Sequence, residues 1–429
     1  MQYIDFGKTG IRTSLLGFGA MRLPIIGEDA SQIDEEKAIE MIRFAIEHGV
    51  NYVDTAYPYH GGNSEKIVGK ALQNGYREKV LLATKSPVWQ VEKHEDFERF
   101  LDQQLEKLQT DHVDMYLMHA LNKERWEKIK TLRFFEFFEK AKAQGKIRFA
   151  GFSFHDKYPT FKEIVDGYDG WDFCQIQLNY MDVNYQAGVR GLKYAASKGL
   201  AVVIMEPLKG GKLAKLPQKV QDILERSGKD WSAVEWSFRW LGNFPEVSVI
   251  LSGMSTLEHV KENVEIMKNV IPNNLTEVDL KLIEEVRKTL GSFAVINCTE
   301  CGYCMPCPSG VDIPENFRVY NETVMFGDWR GGRGIYKWLE GQKTAASFCK
   351  ECGECLSKCP QRLEIPSLLK KVNSELTEVK WGGVDNATFQ NSHRLFFSKG
   401  EQLSQWQNYK LGNWEYKNSG SKNTKIDRR

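Results

Sequence analysis

Residues 51–59 read NYVDTAYPY. Tyr52 and Val53 finish a short β-rich run, Asp54 sits where that run gives way to a loop, and Tyr59 follows just past Pro58. A carboxylate and a phenol are thereby held at one strand end. Two later runs finish the same way: VLLATK (Val80 to Lys85) stops at a lysine, and VDMYLMHA (Val113 to Ala120) carries His119 near its end. If these are successive parallel strands, Asp54, Lys85 and His119 emerge at one face with Tyr59 above them. An ammonium beside a phenol favours the phenolate. The expectation is therefore an acid–base site in which Lys85 makes the Tyr59 proton mobile near neutral pH.

Working outward, the same strand-then-helix rhythm continues. Leu15–Phe18, Tyr52–Ala56, Val80–Thr84, Val113–Met118, Ile147–Phe152, Phe173–Leu178, Ala201–Met205 and Val247–Leu251 read as short buried strands. Asp34–His48 has apolar residues at helical spacing and stops at Gly49; Ala187–Ser197 stops before Gly199, and Thr131–Gln144 before Gly145. Strands each followed by a helix predict an α/β fold, a (β/α)₈ TIM barrel, because parallel strands need crossover helices and eight of them close the sheet. An open doubly wound sheet is the competing fold, but no GxGxxG follows the first strand. In a barrel, functional groups gather at the C-terminal strand ends, where Asp54, Lys85, His119, Ser153, Gln175 and Glu206 all fall. Singly, each has a plain structural role: a helix cap, a surface cation, a hydrogen-bonded core histidine, a loop aromatic. Their recurrence at consecutive strand exits favours a site. Trp89 and Tyr57 near the predicted mouth suggest an aromatic-lined pocket.

Bulk properties narrow the function. The 429 residues suffice for a barrel and a second unit. A formal net charge of +1 gives no electrostatic case for nucleic acid or an anionic membrane. No apolar stretch approaches the ~20 residues needed to cross a bilayer, and MQYIDFGKTG lacks signal-peptide regions. A cytoplasmic location is expected.

The order FGKTGIRTSLLGFGAMRLP, VDTAYPYHGGNSE, ATKSP, VDMYLMHA, KIRFAGFSFH, LSGMSTLEHVKEN resembles the aldo-keto reductases over about two thirds of the chain. The resemblance implies reduction of a carbonyl, or the reverse alcohol oxidation, with NAD(H) or NADP(H) bound without a Rossmann unit. It implies Tyr59 as general acid, Lys85 easing its ionisation, Asp54 pairing with Lys85 and His119 orienting the carbonyl. On the cofactor side it implies Ser153 and Gln175 at the nicotinamide carboxamide, with Phe154 replacing the usual asparagine. Met205 stands in place of an aromatic that stacks on the nicotinamide, and Glu262 and Asn263 match the adenine-side pair. Pro207, Leu208 and Ser255 complete the implied contacts. Gly253 and His259 stand where many relatives place basic groups for a 2′-phosphate. Without that charge-assisted partner NADPH forgoes about 1.5–3 kcal/mol, so no strong NADP preference is expected.

Nine cysteines are unevenly placed. Cys174 stands alone and is expected to be a buried small hydrophobe. Cys298, Cys301, Cys304 and Cys307 form CxxCxxCxxCP, and Cys349, Cys352, Cys355 and Cys359 form CxxCxxCxxxCP. Three thiolates at this spacing can hold one corner of a cubane cluster while the cysteine before proline reaches another. Zinc usually takes two CxxC pairs per ion, and disulfides do not suit a reducing cytosol. Two 4Fe–4S clusters are expected. By analogy with two-cluster ferredoxins, Cys298, Cys301, Cys304 and Cys359 would hold one, and Cys307, Cys349, Cys352 and Cys355 the other. CPSGVDIP and CPQRLEIP repeat beyond the ligands. Pro314–Phe348 is aromatic and mostly helix-like, so this part resembles a small helical ferredoxin-like domain.

The expected organisation is a barrel over 1–272, a linker helix over 273–295, a ferredoxin-like domain over 296–379, and a polar extension over 380–429 carrying Phe389, Phe396, Phe397, Trp406 and Trp414. Three functions stay open at this point. The barrel reduces a small carbonyl substrate while the clusters are structural or exchange electrons with another protein. Alternatively, a flavin or other acceptor in the barrel takes single electrons from ferredoxin through the clusters. The third is a non-enzymatic nucleotide or redox sensor.

Overall fold

Two short strands, β1 (Tyr3–Asp5) and β2 (Arg12–Ser14), pair antiparallel at the start of the chain. Eight parallel strands follow: β3 (Leu16–Gly19), β4 (Tyr52–Asp54), β5 (Leu81–Ser86), β6 (Val113–Leu121), β7 (Ile147–Phe154), β8 (Phe173–Gln177), β9 (Ala201–Met205) and β10 (Val247–Ser252). They close into a barrel in the order β10-β3-β4-β5-β6-β7-β8-β9. This computed structural model describes residues 1–27, 29–298 and 300–377. The expected 380–429 extension and its aromatics lie outside the described residues.

The expected strands all form, shifted by a few residues at most. Their inward side chains, among them Ala83, Met115, Leu117, Val203, Val249 and Leu251, fill the barrel centre together with Tyr52 and Phe173. Phe6, fully buried, joins this cluster from the β1–β2 connection. Its neighbour Gly7 has φ +55, and a Cβ there would lie 2.5 Å from the Ala201 backbone nitrogen, so only glycine lets the hairpin close onto the barrel. The hairpin was not foreseen in the sequence.

Local signals explain the helices. Asp34 caps Glu35–Glu47 by accepting from the Lys37 amide, and Gly49 follows at φ 94. Thr276 and Asp279 form a reciprocal capping box on helix Glu277–Gly291. The helix expected over Thr131–Gln144 forms over Phe134–Ala143, and a separate helix, Lys123–Thr131, precedes it. Arg133, at φ 57, breaks them apart. No described helix is long and apolar enough to cross a membrane.

The chain divides into two compact units. The first comprises Met1–Asn297 and Asn321–Asp328; the second comprises Cys298–Tyr320 and the described residues from Trp329 onward. Helix Glu277–Gly291, expected as a linker, buries Leu282, Ile283, Val286 and Leu290 within the first unit. In the second, helices Trp329–Gly341 and Ile365–Thr377 pack through Tyr336, Leu339, Leu369 and Val372. Tyr336 donates to Asn373 at 2.7 Å. Buried Asn316 donates to the Asp312 and Thr344 carbonyls and accepts from the Ala346 amide, satisfying turns that flank the cysteine segments.

Candidate active site

Asp54 ends β4, and Lys85 lies two residues past Ala83, its register partner on β5. The period of two therefore turns both side chains to the barrel interior. Lys85 Nζ donates to Asp54 Oδ1 at 2.6 Å and to the Thr55 carbonyl at 2.7 Å. Its third direction faces the Tyr59 hydroxyl at 3.4 Å. The end of β5 is fixed from behind by a buried network. Gln104 donates to the Lys85 carbonyl (3.1 Å), to Thr84 (3.0 Å) and to Glu65 (2.5 Å), and accepts from Tyr116 (2.7 Å). Every member is paired, which makes such a network rigid.

His119 reaches the site through a bulge. Met118 pairs with Phe152, but the next partners are Leu121 and Phe154, so β6 carries one residue more than β7. Ala120 takes φ 54, and its amide donates to Ser153 Oγ at 2.7 Å. The extra residue re-aims the imidazole, which meets the Tyr59 ring edge-on with centroids 6.0 Å apart. His119 Nδ1 is buried without a hydrogen-bond partner among the described residues.

Burial pulls the Lys85 ammonium down, but Asp54 and Tyr59 together outweigh it and the group is held above its ordinary value. Burial works in the opposite sense on Asp54, raising its carboxyl against the pull of Lys85. With two short bonds to the ammonium, the pair is ionised. For Tyr59 the expectation needs correction. Lys85 does favour the phenolate, yet burial opposes it more strongly, and the phenol lies above its ordinary value. Tyr59 is a protonated donor at neutral pH. His119 is pushed well below its ordinary value by burial, then by Lys85, His155 and Arg125, so it is neutral. The four residues expected from sequence thus converge, as a neutral acid and a neutral imidazole over a buried ion pair.

The expected cofactor residues spread over β7 to β10. Ser153 and Gln175 are buried register neighbours, and Gln175 Oε1 has no partner among the described residues. Met205 ends β9, with Pro207 and Leu208 in the following loop. His259 and Glu262 are exposed on helix Leu257–Met267, with Ser255 just before it. The Ser255 amide meets His259 Nδ1 at 3.4 Å, and Glu262 accepts from Ser232 at 3.3 Å. Asn263 is buried and donates to Ser252 at 2.9 Å. Missed from sequence was Arg22, whose stem lies 3.1 Å from where a Gly253 Cβ would be and whose guanidinium stands 3.9 Å from Glu206. Non-glycine residues with positive φ recur at these exits: His60, Ala120, Gln186, Glu206 and Lys209. Such strain collects at ligand sites.

In the second unit two cavities divide the cysteines. One is lined by Cys298, Cys301, Cys304 and Cys359. The other is lined by Cys307, Cys349, Cys352 and Cys355, with Cys304 on the wall between them. Cys174 is fully buried in β8, and burial alone pushes its thiol up.

A closed parallel barrel bearing a phenol, an ammonium, a carboxylate and an imidazole at its strand exits defines a class of oxidoreductase. Residues 15–288 match the Aldo/keto reductase family, and the chain belongs to it. Residues 297–364 match the 4Fe-4S dicluster domain. Similar proteins include aldo-keto reductase YhdN of Bacillus subtilis, 38% identical over 28% of this chain and 38% of its own length. Methylglyoxal reductase YeaE of Escherichia coli is 31% identical over 57% of this chain and 82% of its own length. Among solved structures, the holo form of aldo-keto reductase AKR11C1 from Bacillus halodurans superposes with a TM-score of 0.56 at 26% identity. That match covers 67% of this chain and 96% of the other.

Proposed function

We propose that the barrel reduces a carbonyl group on a small molecule, or oxidises the corresponding alcohol, with a nicotinamide cofactor, and that the second unit carries two 4Fe–4S clusters. The observation that carries the reading is the Asp54–Lys85–Tyr59 chain, at 2.6 and 3.4 Å, beside the unpartnered Nδ1 of a neutral His119. Bound nicotinamide supplies the hydride. The chain's own task is then to manage the oxygen. Tyr59 donates its proton to the carbonyl oxygen as negative charge develops there, and the Lys85 ammonium stabilises the phenolate left behind. Asp54 keeps Lys85 charged and aimed. His119 donates a hydrogen bond to the same oxygen and fixes which way the carbonyl points. In the oxidative direction the phenolate takes the alcohol proton.

The cofactor residues fit. Gln175 Oε1 is a buried acceptor without a donor, which suits a carboxamide N–H. Arg22 lies beside Gly253, and Glu206 already faces it. That supports NADH at least as well as NADPH. The name of one relative, the NADH-specific methylglyoxal reductase of Escherichia coli, 25% identical over 68% of this chain, agrees.

The cysteine cavities fit the crossed ligand sets: Cys304 borders both, and the other seven thiols divide so that the two sets exchange their proline-flanked members. When bound, clusters pass electrons singly, so they would serve structure or exchange with a redox protein such as a ferredoxin rather than the hydride step. Anaerobically prepared protein mixed with NADH and methylglyoxal tests the reading. Aldehyde-dependent loss of nicotinamide absorbance is expected. A flavin spectrum, with no such loss for a range of aldehydes and ketones, would favour the electron-fed alternative.

A further inference from the structure

The wall of the mouth beyond His119 holds a cation that the carbonyl chemistry leaves unused. Asn122 caps helix Lys123–Thr131 by accepting from the Arg125 amide at 2.8 Å. The Arg125 side chain turns back to the strand it came from, where Nη1 donates to the Ala120 carbonyl at 2.7 Å. Its guanidinium carbon lies 5.4 Å from the centre of the Trp89 ring. Trp89 in turn lies 5.2 Å from the His119 ring, and His119 lies 6.0 Å from Tyr59. Phenol, imidazole, indole and guanidinium are therefore successive neighbours, starting from the proton donor.

Arg125 is partly buried, and among the described residues it forms no ion pair. Its neighbour Glu124 is exposed and makes none with it. Other cations at the mouth differ: Lys85 has Asp54 at 2.6 Å, Lys209 has Asp182 at 2.7 Å, and Arg22 has Glu206 at 3.9 Å. Among the described residues the Arg125 side chain makes one hydrogen bond, out of five N–H donors. In the loop after β8, Gln186 meets His155 at 3.3 Å and buries an Oε1 without a partner among the described residues. This end of the mouth also carries Lys128, whose Nζ donates to the Trp89 carbonyl at 3.4 Å, and the exposed Glu124 next to Arg125. It lies on β6, four places round the barrel from β10, so it is opposite the strand expected to meet the adenine end of the cofactor.

A half-desolvated guanidinium with its fork open, beside the group that orients the carbonyl, matches a planar monoanion in shape and charge. We propose that Arg125 binds a carboxylate on the substrate, so that the barrel takes oxo acids, and in reverse hydroxy acids, in preference to uncharged carbonyl compounds. This rests on the carbonyl-reduction reading above. Trp89 would cover the carbon skeleton between the carbonyl, at Tyr59 and His119, and the carboxylate at Arg125.

Phenylglyoxylate and its methyl ester share a ketone and differ in the anion. The full-length protein with NADH should show kcat/KM at least about tenfold higher for the acid. Arg125→Gln should bring the ratio close to one, mainly through the KM of the acid, and Arg125→Lys should retain part of the preference. Calorimetric titration with mandelate, the reduced acid, gives a readout without turnover: saturable binding is expected in the native chain and at least tenfold weaker binding in Arg125→Gln. Equal kcat/KM for acid and ester, or a preference that survives Arg125→Gln, overturns the proposal. If neither ketone is reduced while mandelate binding still depends on Arg125, the anion site stands and the reductase reading falls.

Discussion

The Lys85 ammonium stands 3.4 Å from the Tyr59 hydroxyl while it donates at 2.6 Å to Asp54. It is close enough to stabilise a phenolate, yet it is already neutralised by a carboxylate. Burial decides the resting state: Tyr59 keeps its proton, and Lys85 acts once that proton has left.

The pH profile follows from that direction. The protonated phenol is the active form for reduction, and its value is raised. The rate of carbonyl reduction should therefore be level through neutral pH and fall only above ~10, the ordinary phenol value. An initial-rate profile with saturating cofactor checks this. A fall beginning near pH 7 would show the ammonium winning over burial.

Breaking the ion pair should cost stability. Asp54 and Lys85 side chains are 3% and 1% exposed. Asp54→Asn leaves a buried ammonium without its counter-charge, for which about 3–5 kcal/mol is expected. Denaturant unfolding of the barrel transition measures it, and a loss under 1 kcal/mol would contradict the geometry.

His119 links folding to acid. It is neutral in the folded chain because its value is depressed, whereas the unfolded residue takes a proton near ~6.5. The unfolded state then binds more protons below that pH, so this residue's contribution to stability is lost as pH falls through about 6.5. Midpoints of urea unfolding between pH 5 and 8 should fall less steeply on acidification in His119→Gln than in the native chain.

The crossed cysteine sets predict which substitutions share an outcome. Cys301→Ala and Cys359→Ala should each lower bound iron by about half, and their combination no further. Cys359→Ala with Cys352→Ala should remove nearly all of it. Iron and sulfide assays on anaerobically reconstituted protein distinguish this from uncrossed sets, in which Cys352 and Cys359 would belong together.

Much of this was legible in the sequence, because strand ends are local. Asp54, Lys85 and His119 each close an apolar run, and a parallel barrel brings every such end to one rim. The cysteine spacing was equally direct. What could not be read is set by distant packing. The sign of the Tyr59 shift depends on burial, which only the folded chain fixes. Strands β1 and β2 have three residues each, too short for a period to show. The break at Arg133 has neither glycine nor proline to announce it. Arg22 comes beside Gly253 only when β3 and β10 pair, and Arg125 approaches Trp89 only through the turns after β5 and β6.

The most direct test of the central claim is single-turnover hydride transfer from NADH to a carbonyl substrate in Tyr59→Phe. Removing the hydroxyl leaves the cofactor residues untouched, so NADH should bind about as in the native chain. The transfer rate should drop by roughly 10²–10⁴-fold. An unchanged rate, with NADH still bound, would show that Tyr59 is not the proton donor.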